Sequence, residues 1–218
     1  MRTCNISSTG TEKKMNSIEI NNKDLINLLN DYSDWFEGVD KSLIKVQGEK
    51  DENEYYTSNE YLETIDKKNH EGFPEKTHGI DLVFCDSTND EIRKRIRQVD
   101  LDFNSVLGSK HCAVKMYYPE GGYMGWHNNH NAHGYNILFS YTKNGKGFFK
   151  FQDTTVPTKI TIDDRPGWTA KVGYYGSNNE PDKLFWHCAR AYEDRLTLGF
   201  VIPNEDFWKM MIEDIESE

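Results

Sequence analysis

The sequence predicts a mainly β (α+β) protein, an antiparallel unit of seven or eight strands braced by helices at both ends. Three observations carry that prediction. From about Ala113 onward, short apolar and aromatic runs follow one another, separated by Gly, Pro, Asn and Asp at roughly 8–12-residue spacing, the mark of a sandwich or small barrel. Before and after that region, apolar residues recur at helical spacing. Aromatic content is 13%, with 12 Tyr and 11 Phe, which suits a pleated, half-buried surface.

The elements follow in chain order. The opening "MRTCNISSTGTEKK" is polar and aperiodic. Residues 1–14 are expected to be a disordered leader, or an upstream extension of the natural start. A single domain is expected over 15–218, with its β core at about 78–203. In "NNKDLINLLNDYSDWF", Leu25, Ile26, Leu28, Leu29, Tyr32 and Trp35 form an amphipathic helix that Asn22 or Asp24 caps. The charged stretch "KVQGEKDENEYYTSNEYLETIDKKNHEG" reads as a surface excursion, its acidic part from Lys50 to Glu71 a solvated face or lid. "GIDLVFCD" reads as a strand. "STNDEIRKRIRQVDLDF" reads as a helix capped by Ser87 or Thr88, with Ile92, Ile96 and Val99 inward. The strand-like runs are "CAVKMYY", "YNILFSYT", "GFFKFQD", "KITIDD", "TAKVGYY", "KLFWHCA" and "RLTLGFVI". "NEDFWKMMIEDIESE" closes the chain as a helix with Phe207, Met210, Met211 and Ile215 on one side. There is no internal repeat and no low-complexity linker.

Composition excludes several classes. A chain of 218 residues is long enough to bury a substantial core. Its net charge of −10, from 36 acidic and 26 basic residues, gives no general electrostatic reason to bind nucleic acid. No apolar run approaches the roughly 18 residues of a membrane span. No signal-peptide core stands near the start. Cys4, Cys85, Cys112 and Cys188 form no CxxC pair, a pattern that favours reduced thiols and a cytoplasmic setting.

The chemistry concentrates in "GWHNNHNAHGYNILFSYT", Gly125 to Thr142. Successive strand side chains face opposite ways, so His127 and Asn129 share a face while Asn128 and His130 turn the other way. His187 stands on a later strand, and Arg195 and Thr197 share a face of the next one. The apolar run around Arg195 makes it an inward-facing cation that needs an anion partner. Together these residues give the sequence form of a metal-binding facial triad on a β-barrel, with open metal positions. The rival reading joins His127, His130 and His133 as a zinc cluster, but positions i and i+3 lie on opposite faces of a strand. His130 and His133 read as loop histidines facing solvent or substrate. Trp126 and Trp186, which precede the two candidate ligands, read as core packing.

On these residues the sequence resembles the 2-oxoglutarate- and Fe(II)-dependent oxygenases, prolyl-hydroxylase-like members in particular, over about residues 112–202. The resemblance implies a double-stranded β-helix (jelly-roll, cupin-like) and the cofactors Fe(II) and 2-oxoglutarate. It implies His127 and His187 as metal ligands, Arg195 as the grip on the distal carboxylate of 2-oxoglutarate, Thr197 as its assisting hydroxyl and Tyr117 as a cosubstrate tyrosine. Where the family pattern has Asp or Glu, this chain has Asn129, an HxN variant whose amide oxygen can bind a metal but brings no charge. Asn129 either ligates the metal or leaves that position to water. The implied activity is hydroxylation of a small metabolite, amino acid, peptide or protein side chain, with release of succinate and CO2. The alternative is a non-catalytic cupin-like module that binds a ligand in the same pocket.

Overall fold

Period-two alternation in the second half of the chain builds two antiparallel sheets. The computed structural model describes residues 15–67, 72–82, 90–129, 132–152, 158–177, 179–184 and 186–218. The strands are β1 (Met15–Ile18), β2 (Thr77–His78), β3 (Ile80–Asp81), β4 (His111–Tyr118), β5 (Tyr123–His127), β6 (Gly134–Thr142), β7 (Gly147–Gln152), β8 (Lys159–Asp163), β9 (Gly167–Tyr175), β10 (Trp186–Ala191) and β11 (Arg195–Ile202). The larger sheet has the order β1-β9-β6-β11-β4-β3, the smaller β2-β5-β10-β7-β8. From β4 to β11 the chain passes back and forth between the two sheets, with one step inside the smaller sheet where β7 pairs with β8, as in a jelly roll, so the expected double-stranded β-helix is the architecture found.

The helices are α1 (Lys23–Glu37), α2 (Asn59–Lys67), α3 (Asp90–Leu107) and α4 (Glu205–Glu216). Asn22 caps α1 by accepting from the Leu25 N–H at 3.0 Å. The principal core lies between the helices and the outer face of the larger sheet. Leu25, Leu29 and Phe36 of α1 and Ile96, Val99 and Phe103 of α3 pack against Phe139, Leu198 and Phe200. Each such side chain contributes about 1.5–3 kcal/mol by leaving water.

Two expectations need correction. The charged stretch before residue 72 is not only a surface excursion: it contains α2, whose Tyr61, Leu62 and Ile65 are buried against Trp126, Phe148, Trp186 and Cys188 on the outside of the smaller sheet. Charge count hid an amphipathic helix with only three apolar inward positions. In α4 the buried residues are Met211 and Ile215, with Trp208 and Ile212 packed beside them, while Phe207 and Met210 face solvent. The stripe is therefore rotated by one position from that read in the sequence. Of "GIDLVFCD", β3 covers Ile80–Asp81; residues 83–89, including Cys85 and the caps Ser87 and Thr88, lie outside the described residues, as do 1–14 and His130. Trp126 and Trp186 are core residues, Cys112 and Cys188 are free thiols, and no helix among the described residues is long and apolar enough to cross a membrane.

Candidate functional site

The two sheets enclose a cavity of about 550 Å³ whose lining includes His127, Asn129, His187, Arg195 and Thr197. Sixty residues separate the two histidines in sequence. Pairing of β10 with β5 sets His187 directly opposite His127, at a register irregularity between His187 and Ala189. Their ring centroids are 4.1 Å apart, and both side chains are buried. Phe149 stacks on His187 at 5.7 Å and Tyr175 meets it edge-on at 5.2 Å, so the imidazole is fixed by aromatic walls. The His127 Nδ1 lies 2.9 Å from the Gly125 carbonyl. A carbonyl only accepts, so Nδ1 carries the proton and the ring lone pair is on Nε2. This arrangement orients an imidazole for a metal. Among the described residues no third His, Cys, Asp or Glu joins these histidines. The residue that lines their cavity two positions after His127 is Asn129, just beyond the end of β5, and its backbone carbonyl accepts from the Ala132 N–H at 2.6 Å. Two imidazoles and an amide oxygen are donors that suit a borderline divalent cation, and all three are neutral. His133 is exposed.

Arg195 begins β11 on the same inner face. It is 1% exposed and has an anion within the protein: its Nε donates to Asp164 Oδ2 at 2.7 Å and its Nη2 to Asp164 Oδ1 at 3.3 Å. Nη1 donates to Thr197 Oγ1 at 2.5 Å and Nη2 to Ser140 Oγ at 3.0 Å. Lys171, also 1% exposed, places its Nζ 3.5 Å from Asp164 Oδ1, 3.4 Å from Ser140 Oγ and 3.3 Å from Thr169 Oγ1. Burial pulls the Asp164 carboxyl up, but Arg195 and then Lys171 outweigh it and hold it below the ordinary carboxylate range. Burial lowers the Arg195 guanidinium, and Asp164 more than reverses this. The Lys171 ammonium is pulled down to about 8, chiefly by burial.

Tyr117 does not reach the cavity. It lies on the outer face of β4, packs on Phe36 at 5.1 Å and donates its hydroxyl to Asp194 at 3.0 Å. Tyr118 takes the inner position: it lines the cavity, and the Arg195 guanidinium lies 5.7 Å from its ring centroid. The correction is one of strand parity. Sequence reasoning also missed Ser140, Asp164 and Lys171. Lys171 carried a usable signal, since it stands between Ala170 and Val172 in an apolar strand and therefore points to the opposite face. Asp164 sits in the "DDRPG" turn after β8, where nothing distinguishes it from an ordinary turn residue.

No protein-family model matches the sequence, and no curated protein matches it. Among solved structures the chain is similar to a Pseudomonas putida prolyl-4-hydroxylase, with 14% identity over 72% of this chain and 91% of that one, at a TM-score of 0.33.

Proposed function

We propose that the chain is an Fe(II)- and 2-oxoglutarate-dependent oxygenase that hydroxylates a small metabolite, amino acid or protein side chain. The observation that carries this reading is the meeting of His127, Asn129 and His187 with the Arg195–Thr197 pair in one cavity between the sheets. His127, His187 and Asn129 are assigned to iron, Arg195 and Thr197 to the distal carboxylate of 2-oxoglutarate. Bound there, iron and 2-oxoglutarate supply an oxidant: 2-oxoglutarate, O2 and substrate R–H become succinate, CO2 and R–OH. The chain's own contribution is positioning and charge. The Gly125 carbonyl fixes the His127 tautomer, Phe149 and Tyr175 hold the His187 ring, and Met116, Leu138 and Phe149 make the walls apolar. Arg195 is held from behind by Asp164, so its orientation is set before a ligand arrives.

The neutral amide of Asn129 favours a second reading, a non-catalytic module that binds a ligand in the same cavity. The test is incubation of the purified chain with Fe(II), 2-oxoglutarate and a panel of metabolites and peptides. Metal-dependent succinate formation, with a 16-mass-unit gain on one substrate, supports the oxygenase. Saturable binding of 2-oxoglutarate with no succinate under any condition selects the binding module.

A further inference from the structure

The inner face of the larger sheet carries a row of hydroxyls. Cross-strand pairing sets Thr169 of β9 opposite Ser140 of β6, and Ser140 opposite Thr197 of β11. Arg195 lies one inward position to one side of this row, Lys171 one inward position to the other. The Ser140 oxygen accepts from both cations, from Arg195 Nη2 at 3.0 Å and Lys171 Nζ at 3.4 Å. A hydroxyl whose lone pairs face two cations has its own hydrogen left to give. Among the described residues nothing takes that hydrogen, and Ser140 lines the cavity. The Thr197 oxygen, which accepts from Arg195, is in the same condition.

The charge count points the same way. Two buried cations share one buried carboxylate, Asp164. On the floor around Asp164, with both cations protonated, one positive charge is in excess, a costly state away from water unless an anion is present; Glu75 and Asp81 also line the cavity, and neither contacts Arg195 or Lys171 as Asp164 does. One carboxylate placed on the Ser140 and Thr197 hydroxyls would balance it. A neutral ligand tail would not.

Resting on the oxygenase reading, we infer that Ser140 and Lys171 complete the subsite that receives the distal carboxylate of the cosubstrate, Ser140 as a direct hydroxyl donor and Lys171 as the positioning cation behind it. Asp164 clamps Arg195 and leaves the floor short of one negative charge, so the subsite selects an acid with an anionic tail. The groups facing Lys171 are Asp164, Arg195 and the hydroxyls of Ser140 and Thr169, with Arg165 adding a more distant positive charge.

The test is calorimetric titration of the Mn(II)-loaded full chain with 2-oxoglutarate and with 2-oxopentanoate, which keeps the chelating end and lacks the anionic tail. The native chain is expected to prefer 2-oxoglutarate by tenfold or more. Ser140→Ala should lower that preference severalfold, and Lys171→Met should lower it about tenfold. Lys171→Arg should restore most of it. Repeating the native titration near pH 8 in buffers of different ionisation enthalpy should reveal net proton uptake with 2-oxoglutarate and none with 2-oxopentanoate, a measurement that needs no variant to fold. If Arg195→Ala weakens 2-oxoglutarate while Ser140→Ala and Lys171→Met bind it as the native chain does, or if uptake is absent, the inference falls and the oxygenase reading stands. If the native chain does not bind 2-oxoglutarate at all, the oxygenase reading falls. The floor is then judged with glutarate on the metal-free chain: binding lost in Ser140→Ala and Lys171→Met upholds a carboxylate site, and no binding overturns it.

Discussion

His127 and His187 face each other across β5 and β10, with ring centroids 4.1 Å apart. Strand pairing alone produces this proximity, so the pair is built into the sheet and does not depend on a loop closing. With the tautomer of His127 set by the Gly125 carbonyl, either histidine should be indispensable for metal. His127→Ala and His187→Ala are each expected to abolish Mn(II) binding in an equilibrium titration. His133→Ala, at an exposed position, should leave it unchanged. Metal loss in His133→Ala as complete as in His127→Ala would revive the three-histidine cluster.

Asn129 gives the second prediction. Two imidazoles and an amide bring no charge to a divalent cation, so the carboxylate at the chelating end of the cosubstrate would supply the first balancing charge. Metal and 2-oxoglutarate should then bind cooperatively, each raising the affinity for the other by the same factor. Asn129→Asp keeps the shape and adds one charge. It should bind Mn(II) at least as tightly as the native chain without 2-oxoglutarate, and show a smaller gain when it is added. Equal metal affinity in the native chain, Asn129→Asp and Asn129→Ala would place Asn129 outside the metal's ligands and leave His127 and His187 completed by water.

Arg195 gives the third. A charge-assisted hydrogen bond contributes about 1.5–3 kcal/mol. Arg195→Ala should weaken 2-oxoglutarate roughly tenfold or more. Iron affinity should stay near native when measured without cosubstrate. The variant also removes the two Arg195 hydrogen bonds to Asp164 and leaves that buried carboxylate with Lys171 at 3.5 Å, so its thermal stability should fall by more than a surface substitution would cause. Native affinity for 2-oxoglutarate in a folded Arg195→Ala chain would remove Arg195 from the site.

The buried cations make stability depend on pH with a definite sign. Lys171 has its folded value pulled from 10.5 to about 8, chiefly by burial. Below about pH 8 the folded chain holds a charged, poorly solvated ammonium. As pH rises from 8 towards 10.5 the folded chain releases that proton before the unfolded chain does, so Lys171's contribution to stability increases. Asp164 has its folded value depressed; its contribution is present above the ordinary carboxylate range and is lost as pH falls through the depressed value. The melting-temperature difference between the native chain and Lys171→Met should therefore shift in favour of the native chain between pH 8 and 10. A difference that stays flat over that window would mean Lys171 does not titrate there.

Much of this architecture was legible because the β region obeys period two. Alternation located His127, His187, Arg195 and Thr197 on inward faces, and cavity walls follow wherever two such faces meet. The same rule is unforgiving of one-residue shifts: Tyr117, which the resemblance implies, packs outward on Phe36, and its neighbour Tyr118 lines the cavity. Helix α2 was hidden because its inward stripe of Tyr61, Leu62 and Ile65 is diluted by acidic neighbours. In α4, Phe207 and Met210 match the expected spacing as well as Trp208 and Ile212 do, and only packing on the sheet decides between the two stripes. Asp164 was illegible for a deeper reason: its role exists only through partners on β9 and β11 that three-dimensional closure brings to it.

Gly147 gives the last prediction, because it is where Asp164 gains its room. A Cβ built on Gly147 would lie 2.5 Å from Asp164 Oδ2 and 2.8 Å from the Arg190 carbonyl oxygen. The carbonyl belongs to β10, paired with β7, and cannot move without disturbing that ladder. The carboxylate cannot move without loosening its bonds to Arg195 and Lys171. Gly147→Ala should therefore destabilise the fold by about 1–3 kcal/mol, the usual effect of forcing extra volume into a packed interior. It should also weaken 2-oxoglutarate binding although residue 147 does not line the cavity, since displacing Asp164 frees Arg195 to change its orientation. Chemical denaturation and cosubstrate titration of the same sample separate the two effects. A destabilised chain with native cosubstrate affinity would show that Arg195 holds its position without Asp164.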